Sequence, residues 1–182
     1  VKLPIIVYNR TSRQSVIQDA IQLRGCIEKQ AIEAEKKGGA YIRPIVLFQA
    51  QPNINAESET FDKIKKMLIA IGIPENEIAI KTSEIDDLKK VDLLSKDCDI
   101  RYIITVNALK EGWDCPFAYI LASLANKTSK VDVEQIVGRI LRQPYAREHK
   151  APLLNSSFVL TCSADFHSTL ENIVRGLNNA GF

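Results

Sequence analysis

The sequence predicts an α/β fold of three layers, in which a mainly parallel β-sheet lies between two layers of helices. Three observations lead to this class. Short apolar runs alternate with longer amphipathic segments, as expected for successive β-α-β units. Several runs, such as Pro-Ile-Val-Leu-Phe at 44–48, are apolar at every residue, which is typical of strands buried on both faces. The composition is that of an ordinary globular domain, with 46% hydrophobic and 25% charged residues.

Apolar runs and capping signals define the individual elements. A Ser or Thr followed three residues later by Gln or Asp opens three of the helices, and Gly or Pro ends two of them. Helices are predicted at 11–37, 56–71, 83–95, 129–143 and 165–178. Strands are predicted at 3–8, 44–48, 77–81, 100–106, 117–123 and 157–161. A polar, proline-bearing segment at 147–154 is expected to be an exposed connection.

The 182 residues are predicted to form a single domain, with a leading strand and long helix in residues 1–40 and the motif-bearing core in residues 41–182. Because the chain does not begin with Met, we expect it to be part of a longer protein. The net charge of +2 implies no extreme polyanion-binding surface, although it allows a local basic stripe. The four cysteines are too far apart for a zinc site, so we expect no metal site, reduced thiols and a cytoplasmic protein.

The segment 134–142, Glu-Gln-Ile-Val-Gly-Arg-Ile-Leu-Arg, carries the best local signal for a binding site. On a helix, Gln135, Gly138, Arg139 and Arg142 share one stripe about 100° wide, opposite the apolar residues. A glycine inside a helix costs about 1 kcal/mol relative to Ala, which indicates that something approaches closely there. Two arginines one turn apart suit a phosphate chain or a transition-state phosphoryl group. The alternative is a solvated basic face with an incidental glycine.

A second signal is the segment 107–116, Asn-Ala-Leu-Lys-Glu-Gly-Trp-Asp-Cys-Pro, which directly follows a predicted buried strand. Gly112 permits a tight turn, and the Asp114 carboxylate can accept hydrogen bonds from hydroxyl groups such as those of a ribose. Trp113 is better interpreted as a core anchor than as a ligand contact.

Polar residues also follow the predicted strands. Ligands of open parallel sheets bind beyond the carboxyl ends of the strands. Gln49, Gln51 and Asn53 follow one strand and Asn107 follows another, so we expect them on one rim of the sheet, facing the backbone of a bound nucleic acid. Taken singly, each of these residues is as well explained as an ordinary loop or capping residue.

Together these segments resemble a known family. Gly-Trp-Asp, then a strand, then Gln-x-x-Gly-Arg-x-x-Arg on a helix is similar to motifs V and VI of superfamily 2 helicases and translocases. The strand and loop at 45–51 look like motif IV, and the whole chain resembles the second, RecA-like motor domain of that superfamily. Glu-Gly-Trp-Asp-Cys-Pro-Phe-Ala with Gln-Ile-Val-Gly-Arg-Ile-Leu-Arg-Gln-Pro most resembles the restriction (Res) subunit of type III restriction enzymes. The resemblance covers residues 44–162.

The resemblance implies a role for each matched residue. Arg139 and Arg142 match the motif VI arginines that reach the γ-phosphate of ATP across an interdomain cleft. Asp114 matches the aspartate that touches the ribose, and Gly112 and Gln135 match its neighbouring glycine and the opening glutamine of motif VI. Where DEAD-box members carry Thr-Asp, this chain has Val106-Asn107, which leaves the adjacent Thr105 as the candidate threonine for contact with nucleic acid.

The resemblance also implies partners that this chain lacks on its own. No glycine is followed by lysine, so the sequence has no phosphate loop, and it has no acidic box to hold magnesium. We therefore expect ATP with Mg to be bound mainly by a first RecA-like domain of the same polypeptide. The chain alone is expected to be inactive, although it would be part of an ATP-dependent DNA helicase or hydrolase with a possible methyltransferase (Mod) subunit as partner. The alternative is a non-catalytic RecA-like module that binds nucleic acid or protein.

Overall fold

The computed structural model describes residues 2, 4–52, 60–106, 114–125 and 129–179. In this part of the chain, a six-stranded sheet is covered by four helices. The strands are β1 (Ile5–Asn9), β2 (Ile45–Gln49), β3 (Ile78–Lys81), β4 (Tyr102–Thr105), β5 (Ala118–Ser123) and β6 (Ser157–Thr161). The helices are α1 (Arg13–Lys36), α2 (Phe61–Ile71), α3 (Lys130–Ile140) and α4 (Ala164–Asn179).

The sheet has the order β1-β6-β5-β2-β4-β3, and every pair of neighbours is parallel. The chain moves across the sheet in one direction up to β3 and returns in the other direction from β3 to β6. Because connections between parallel strands are right-handed, this reversal places α1 and α2 on one face and α3 on the other, where it packs on α4. The predicted α/β class with three layers and a parallel sheet is confirmed.

Side-chain caps mark where three helices begin, and one of them, Ser129, was predicted from the sequence. Ser129 caps α3 by accepting a hydrogen bond from the backbone N–H of Asp132, and Thr60 accepts one from Lys63 at the start of α2. At α1 the capping residue is Ser12, one residue later than expected, because its side chain accepts from the N–H of Ser15. Helix α2 ends at Gly72, whose φ of 109° is a conformation that glycine adopts readily.

The predicted helix at 83–95 is wrong, since the structure has a series of turns there. Short polar side chains bind nearby backbone N–H groups and so compete with helical hydrogen bonds. Thr82, Asp86 and Asp92 each accept such a bond from a residue two or three positions later. The buried Arg43 side chain completes the arrangement by donating to the carbonyls of residues 93, 95 and 100.

The segment between α3 and β6 also differs from its prediction. Helix α3 ends at Ile140 rather than near residue 143, because Gln143 precedes a proline and is extended. Two single-turn 3-10 helices follow, at Pro144–Ala146 and Pro152–Asn155. Tyr145 and Ala146 have positive φ angles of 59° and 53°, which are unfavourable for residues with a Cβ atom.

The core consists of the strands and the inner faces of the helices. Strands β2 to β6 are buried at every residue, whereas the edge strand β1 is only partly buried. Within the described ranges, no helix is long and apolar enough to cross a membrane. The same residues contain no group of three or more His, Cys, Asp or Glu side chains that could hold a metal ion.

Candidate functional site

The candidate site residues that the structure describes lie at two opposite edges of the sheet. Because all strands are parallel, residues that precede a strand lie at the N-terminal edge, and residues that follow one lie at the C-terminal edge. Asp114 precedes β5, and Arg142 follows the end of α3, which runs back from the C-terminal edge to the N-terminal edge. Gln49 and Thr105 end β2 and β4 and pair with each other in register. Among the described residues, the predicted phosphate contacts and the predicted nucleic-acid contacts therefore occupy different edges.

Helix α3 presents the predicted polar stripe to solvent. Gln135, Gly138 and Arg142 are exposed and Arg139 is partly exposed. The residues on the other side of the helix, by contrast, are buried against the sheet and α4, namely Val133, Ile136, Val137 and Ile140. The amphipathic period of the sequence thus correctly assigned which side of α3 is buried.

Gly138 lies in open space on this stripe. A Cβ atom added there would have no described atom within 4 Å, and the residue needs no left-handed backbone conformation. Neither local packing nor the backbone of α3 therefore accounts for a glycine at this position. The expectation that a ligand or another domain approaches closely at Gly138 stays a prediction.

Asp114 and Arg142 meet at the N-terminal edge. An Oδ2 atom of Asp114 lies 3.3 Å from Nη2 of Arg142, with the two side chains 50% and 64% exposed. Burial lowers the pKa of the Arg139 guanidinium, and the negative charge of Asp114 opposes that shift. Two segments that are distant in sequence thus bring a carboxylate and a guanidinium group into contact at an exposed position, within electrostatic range of the Arg139 guanidinium. An ion pair this exposed contributes little to stability, about 1 kcal/mol or less. Breaking it so that each side chain can bind a ligand therefore costs little free energy.

The residue after Asp114 marks the boundary between the exposed pair and the core. Cys115 is buried, and burial raises the pKa of its thiol to about 12, so it is a neutral packing residue rather than a nucleophile. Beside it lies the ammonium group of Lys2, whose pKa is lowered to about 7 by burial, against the raising effect of Cys115 and Asp114. Sequence reasoning missed Lys2, because a lone lysine before the first strand is normally exposed.

At the C-terminal edge, the predicted nucleic-acid contacts are mostly engaged inside the protein. Gln49 is 3% exposed, and its Oε1 atom accepts a hydrogen bond of 2.7 Å from the hydroxyl of Ser123 on β5. Gln51 is partly exposed and donates from Nε2 to the carbonyl of Leu124. Thr105 is fully buried, and its hydroxyl has no hydrogen-bond partner among the described residues.

This burial argues against direct contact of Gln49 and Thr105 with a bound strand. Their position at one edge agrees with the sequence-based expectation of a common rim, and Gln51 remains a candidate contact. Three further predicted site residues, Gly112, Asn53 and Asn107, lie outside the described residues.

Comparison with solved structures shows that the fold is RecA-like and similar to that of the C-terminal domains of helicases. The C-terminal domain of S. cerevisiae Dbp5, bound to Gle1 and IP6, matches with a TM-score of 0.50 and 14% identity over 95% of this chain and 84% of that one. Domain 2 of the DEAD-box helicase Mss116p, bound to an RNA duplex, matches with a TM-score of 0.52 and 14% identity over 96% of this chain and 59% of that one.

Sequence comparison finds a curated relative that matches part of the chain. UvrABC system protein B of Thermosipho africanus (strain TCF52B) is 33% identical over 91 residues, which cover 46% of this chain. The match spans only 13% of the length of that protein. No family model matches the chain.

Proposed function

We propose that this chain is the C-terminal motor domain of an ATP-dependent helicase or translocase that acts on DNA. The observation that carries the proposal is the meeting of Asp114 and Arg142 beside Arg139 at an exposed edge of a RecA-like fold. These residues can form one side of a nucleotide-binding cleft, and a second domain that binds the phosphates must form the other side. ATP with Mg would be bound mainly by that domain, since this sequence has no phosphate loop.

The residues at this edge have the chemistry for the proposed roles. The Asp114 carboxylate accepts hydrogen bonds from hydroxyls, as a ribose would require. The guanidinium groups of Arg139 and Arg142 are planar cations with several donors, suited to a γ-phosphate whose charge increases in the transition state. Gln135 and Gly138 lie on the same side of α3, where the amide can donate to the nucleotide and the missing side chain leaves room for it.

Asp114 and Arg142 form an exposed ion pair. Because the two side chains are assigned to different parts of ATP, a bound nucleotide would replace this ion pair with contacts to the ribose and to the γ-phosphate. The small stability of an exposed ion pair makes this exchange inexpensive.

The same proposal assigns nucleic-acid binding to the C-terminal edge. Domain 2 of Mss116p, which shares this fold, is bound to an RNA duplex in its solved structure. In this chain, Gln51 is the described side chain at that edge best placed to contact a strand. Asn53 and Asn107 stay sequence-based predictions of such contacts. Gln49 and Ser123 would instead support the edge from within.

Within this superfamily we propose the restriction (Res) subunit of a type III restriction enzyme, which would act on DNA with a methyltransferase (Mod) subunit. The support is the amino-acid sequence of the two motifs, Glu-Gly-Trp-Asp-Cys-Pro-Phe-Ala and Gln-Ile-Val-Gly-Arg-Ile-Leu-Arg-Gln-Pro. The observation that Ile136 is a buried core residue of α3 also fits, because DEAD-box members often carry an arginine at that position of the motif.

The test uses the polypeptide that joins this chain to its phosphate-loop domain. Changing Arg139 or Arg142 to Ala should lower DNA-stimulated ATP hydrolysis about 10³- to 10⁵-fold, the usual effect of losing an arginine finger. Arg142→Lys should not restore the rate, because an ammonium group lacks the planar pair of donors. Lys66→Ala, at an exposed position on α2, is the matched control for loss of a positive charge.

Near-normal ATP hydrolysis by both alanine variants would refute the assignment of the arginines. ATP hydrolysis that is absent from the unmodified polypeptide, with nucleic-acid binding retained, would favour the non-catalytic module instead.

A further inference from the structure

Lys2 lies at the N-terminal edge of the sheet, in contact with the segment that follows Asp114. Its side chain has no exposed surface. The Nζ atom donates to the carbonyl oxygens of Pro116 and Ala118, at 3.2 and 2.5 Å, and lies 3.9 Å from the centre of the Tyr119 ring. The ammonium group is therefore held by two carbonyls and an aromatic face.

The backbone of the same residue contacts the end of α3. The N–H of Lys2 donates to the carbonyl of Leu141 at 2.7 Å, directly before Arg142. The carbonyl of Lys2 accepts from the hydroxyl of Ser157, which also lies 3.1 Å from the carbonyl oxygen of Ile140. One residue thus connects the segment after Asp114 with the segment before Arg142.

Packing alone does not explain a lysine here. Removing an ammonium group from water is costly, and no carboxylate lies within 4 Å of Nζ in the part of the chain that the structure describes. A methionine has nearly the same length and would fill the space without that cost. What the lysine adds is a set of hydrogen-bond donors.

The carbonyls of Pro116 and Ala118 accept hydrogen bonds from Lys2 at a point where β5 is not yet paired with β6. The carbonyl of Phe117 accepts from the backbone N–H of Ile45, towards β2. Residues 116 and 117 form a turn directly before β5, so the carbonyl of Pro116 lies outside the regular ladder between β5 and β2. Pairing of β5 with β6 starts only at Ile120, so the Lys2 ammonium supplies donors at a point where strand pairing has not yet begun.

We propose that Lys2 is a positioning residue that holds the turn after Asp114 against the end of α3, and so sets the separation of Asp114 and Arg142. Its significance for ATP hydrolysis rests on the proposed function, whereas its effect on the geometry does not. Lys2 reaches Asp114 and Arg142 through the backbone on either side of them, and Nζ itself binds no proposed ligand.

The experiment uses the 182-residue chain and two NMR signals. Hydrogen exchange of the Ala118 amide, which donates to the carbonyl of Cys115, reports on the turn. The Nε resonance of Arg142 reports on its pairing with Asp114, with Asp114→Asn defining the unpaired position. Lys2→Met removes the donors at nearly constant volume, Lys2→Arg keeps a cation with donors, and Lys66→Met is the control.

We expect Lys2→Met to accelerate exchange of the Ala118 amide at least about 10-fold relative to amides in the centre of the sheet, such as that of Ile103. The Arg142 resonance should move towards its position in Asp114→Asn, and Lys2→Arg should reverse part of both changes. Lys66→Met should produce neither change.

Uniform acceleration of all amides in Lys2→Met would show a general loss of stability and would overturn the proposal. An unchanged Arg142 resonance would also overturn it. If Lys2→Met does not fold, Lys2→Gln, which retains an amide donor, is measured by the same two signals and judged by the same outcomes. Neither signal requires ATP hydrolysis, so failure of the proposed function would leave this test intact.

Discussion

The burial of Lys2 predicts a pH dependence of stability that a single substitution removes. Burial lowers the pKa of Lys2 from 10.5 to about 7 in the folded chain. Between these two values the unfolded chain binds more protons than the folded chain, so the free energy of unfolding must rise with pH. Below about pH 7 both states carry the proton, and the cost of burying the charge is fully present.

The expected magnitude follows from the size of the shift. At pH 7 the folded-state lysine is half protonated, and by pH 9 it is neutral, while the unfolded-state lysine is still charged. The slope approaches 1.36 kcal/mol per pH unit, which gives a gain of about 2 kcal/mol between pH 7 and 9. The upper limit is pH 9 because burial raises the pKa of the Cys115 thiol from 9.0 to about 12. Ionisation of that thiol in the unfolded chain opposes the gain above pH 9.

The assay is urea unfolding of the unmodified chain and of Lys2→Met at several pH values from 7 to 9, followed by circular dichroism. All other groups that titrate in this range are common to both proteins, so the difference between the two curves isolates Lys2. The unmodified chain should gain about 2 kcal/mol relative to Lys2→Met, whereas Lys66→Met should follow the unmodified chain. Parallel curves for the unmodified chain and Lys2→Met would refute the reasoning, and so would a gain towards low pH.

Three further changes test the remaining structural arguments. Arg43→Met leaves one buried and two part-buried carbonyls, those of residues 93, 95 and 100, without their donor. It should lower the free energy of unfolding by about 3 kcal/mol, measured in urea, and a loss below about 1 kcal/mol would contradict the role of Arg43. Ala146→Gly relieves a positive φ at an exposed residue, so it should raise the free energy of unfolding by about 0.5 to 1 kcal/mol and with it the melting temperature. A lower melting temperature would mean that the turn is unstrained. Arg142→Ala should change stability by about 0.5 kcal/mol or less, since its ion pair is exposed. The chain alone should not hydrolyse ATP, and DNA-stimulated hydrolysis above a contaminant-controlled blank would show otherwise.

Binding to single-stranded DNA provides a test of the C-terminal edge. It should be weak, independent of sequence and lost as salt rises, because neutralisation of phosphates drives it. Gln51→Ala should weaken it, measured by fluorescence anisotropy, whereas Thr105→Ser should not, since Thr105 is buried. Tight binding that is insensitive to salt would contradict the proposed contact with the backbone.

Local sequence signals were sufficient for most of the fold because their physical causes are local. The strands at 44–48 and 157–161 were recognisable as runs of buried apolar residues, and Ser129 marked the start of α3. The helix expected at 83–95 failed because its capping signals and charged residues were also turn signals. The hydrogen bonds of Arg43 favour the turns over a helix in this segment. Arg43 is distant in sequence, and no local pattern reveals that it is buried in the fold.

By itself, the sequence determined the parallel α/β class and the polar side of α3, because strand burial and helical period are properties of a few consecutive residues. Only the tertiary structure decided that Asp114 meets Arg142, that Gln49 and Thr105 are enclosed, and that Lys2 is buried between two motifs. The sequence could also have predicted that Asp114 and Gln49 lie at opposite edges of the sheet, since Asp114 precedes a strand and Gln49 ends one. The pairing of particular side chains could not be predicted in this way, because it depends on the order in which the strands join the sheet and on where each connection returns.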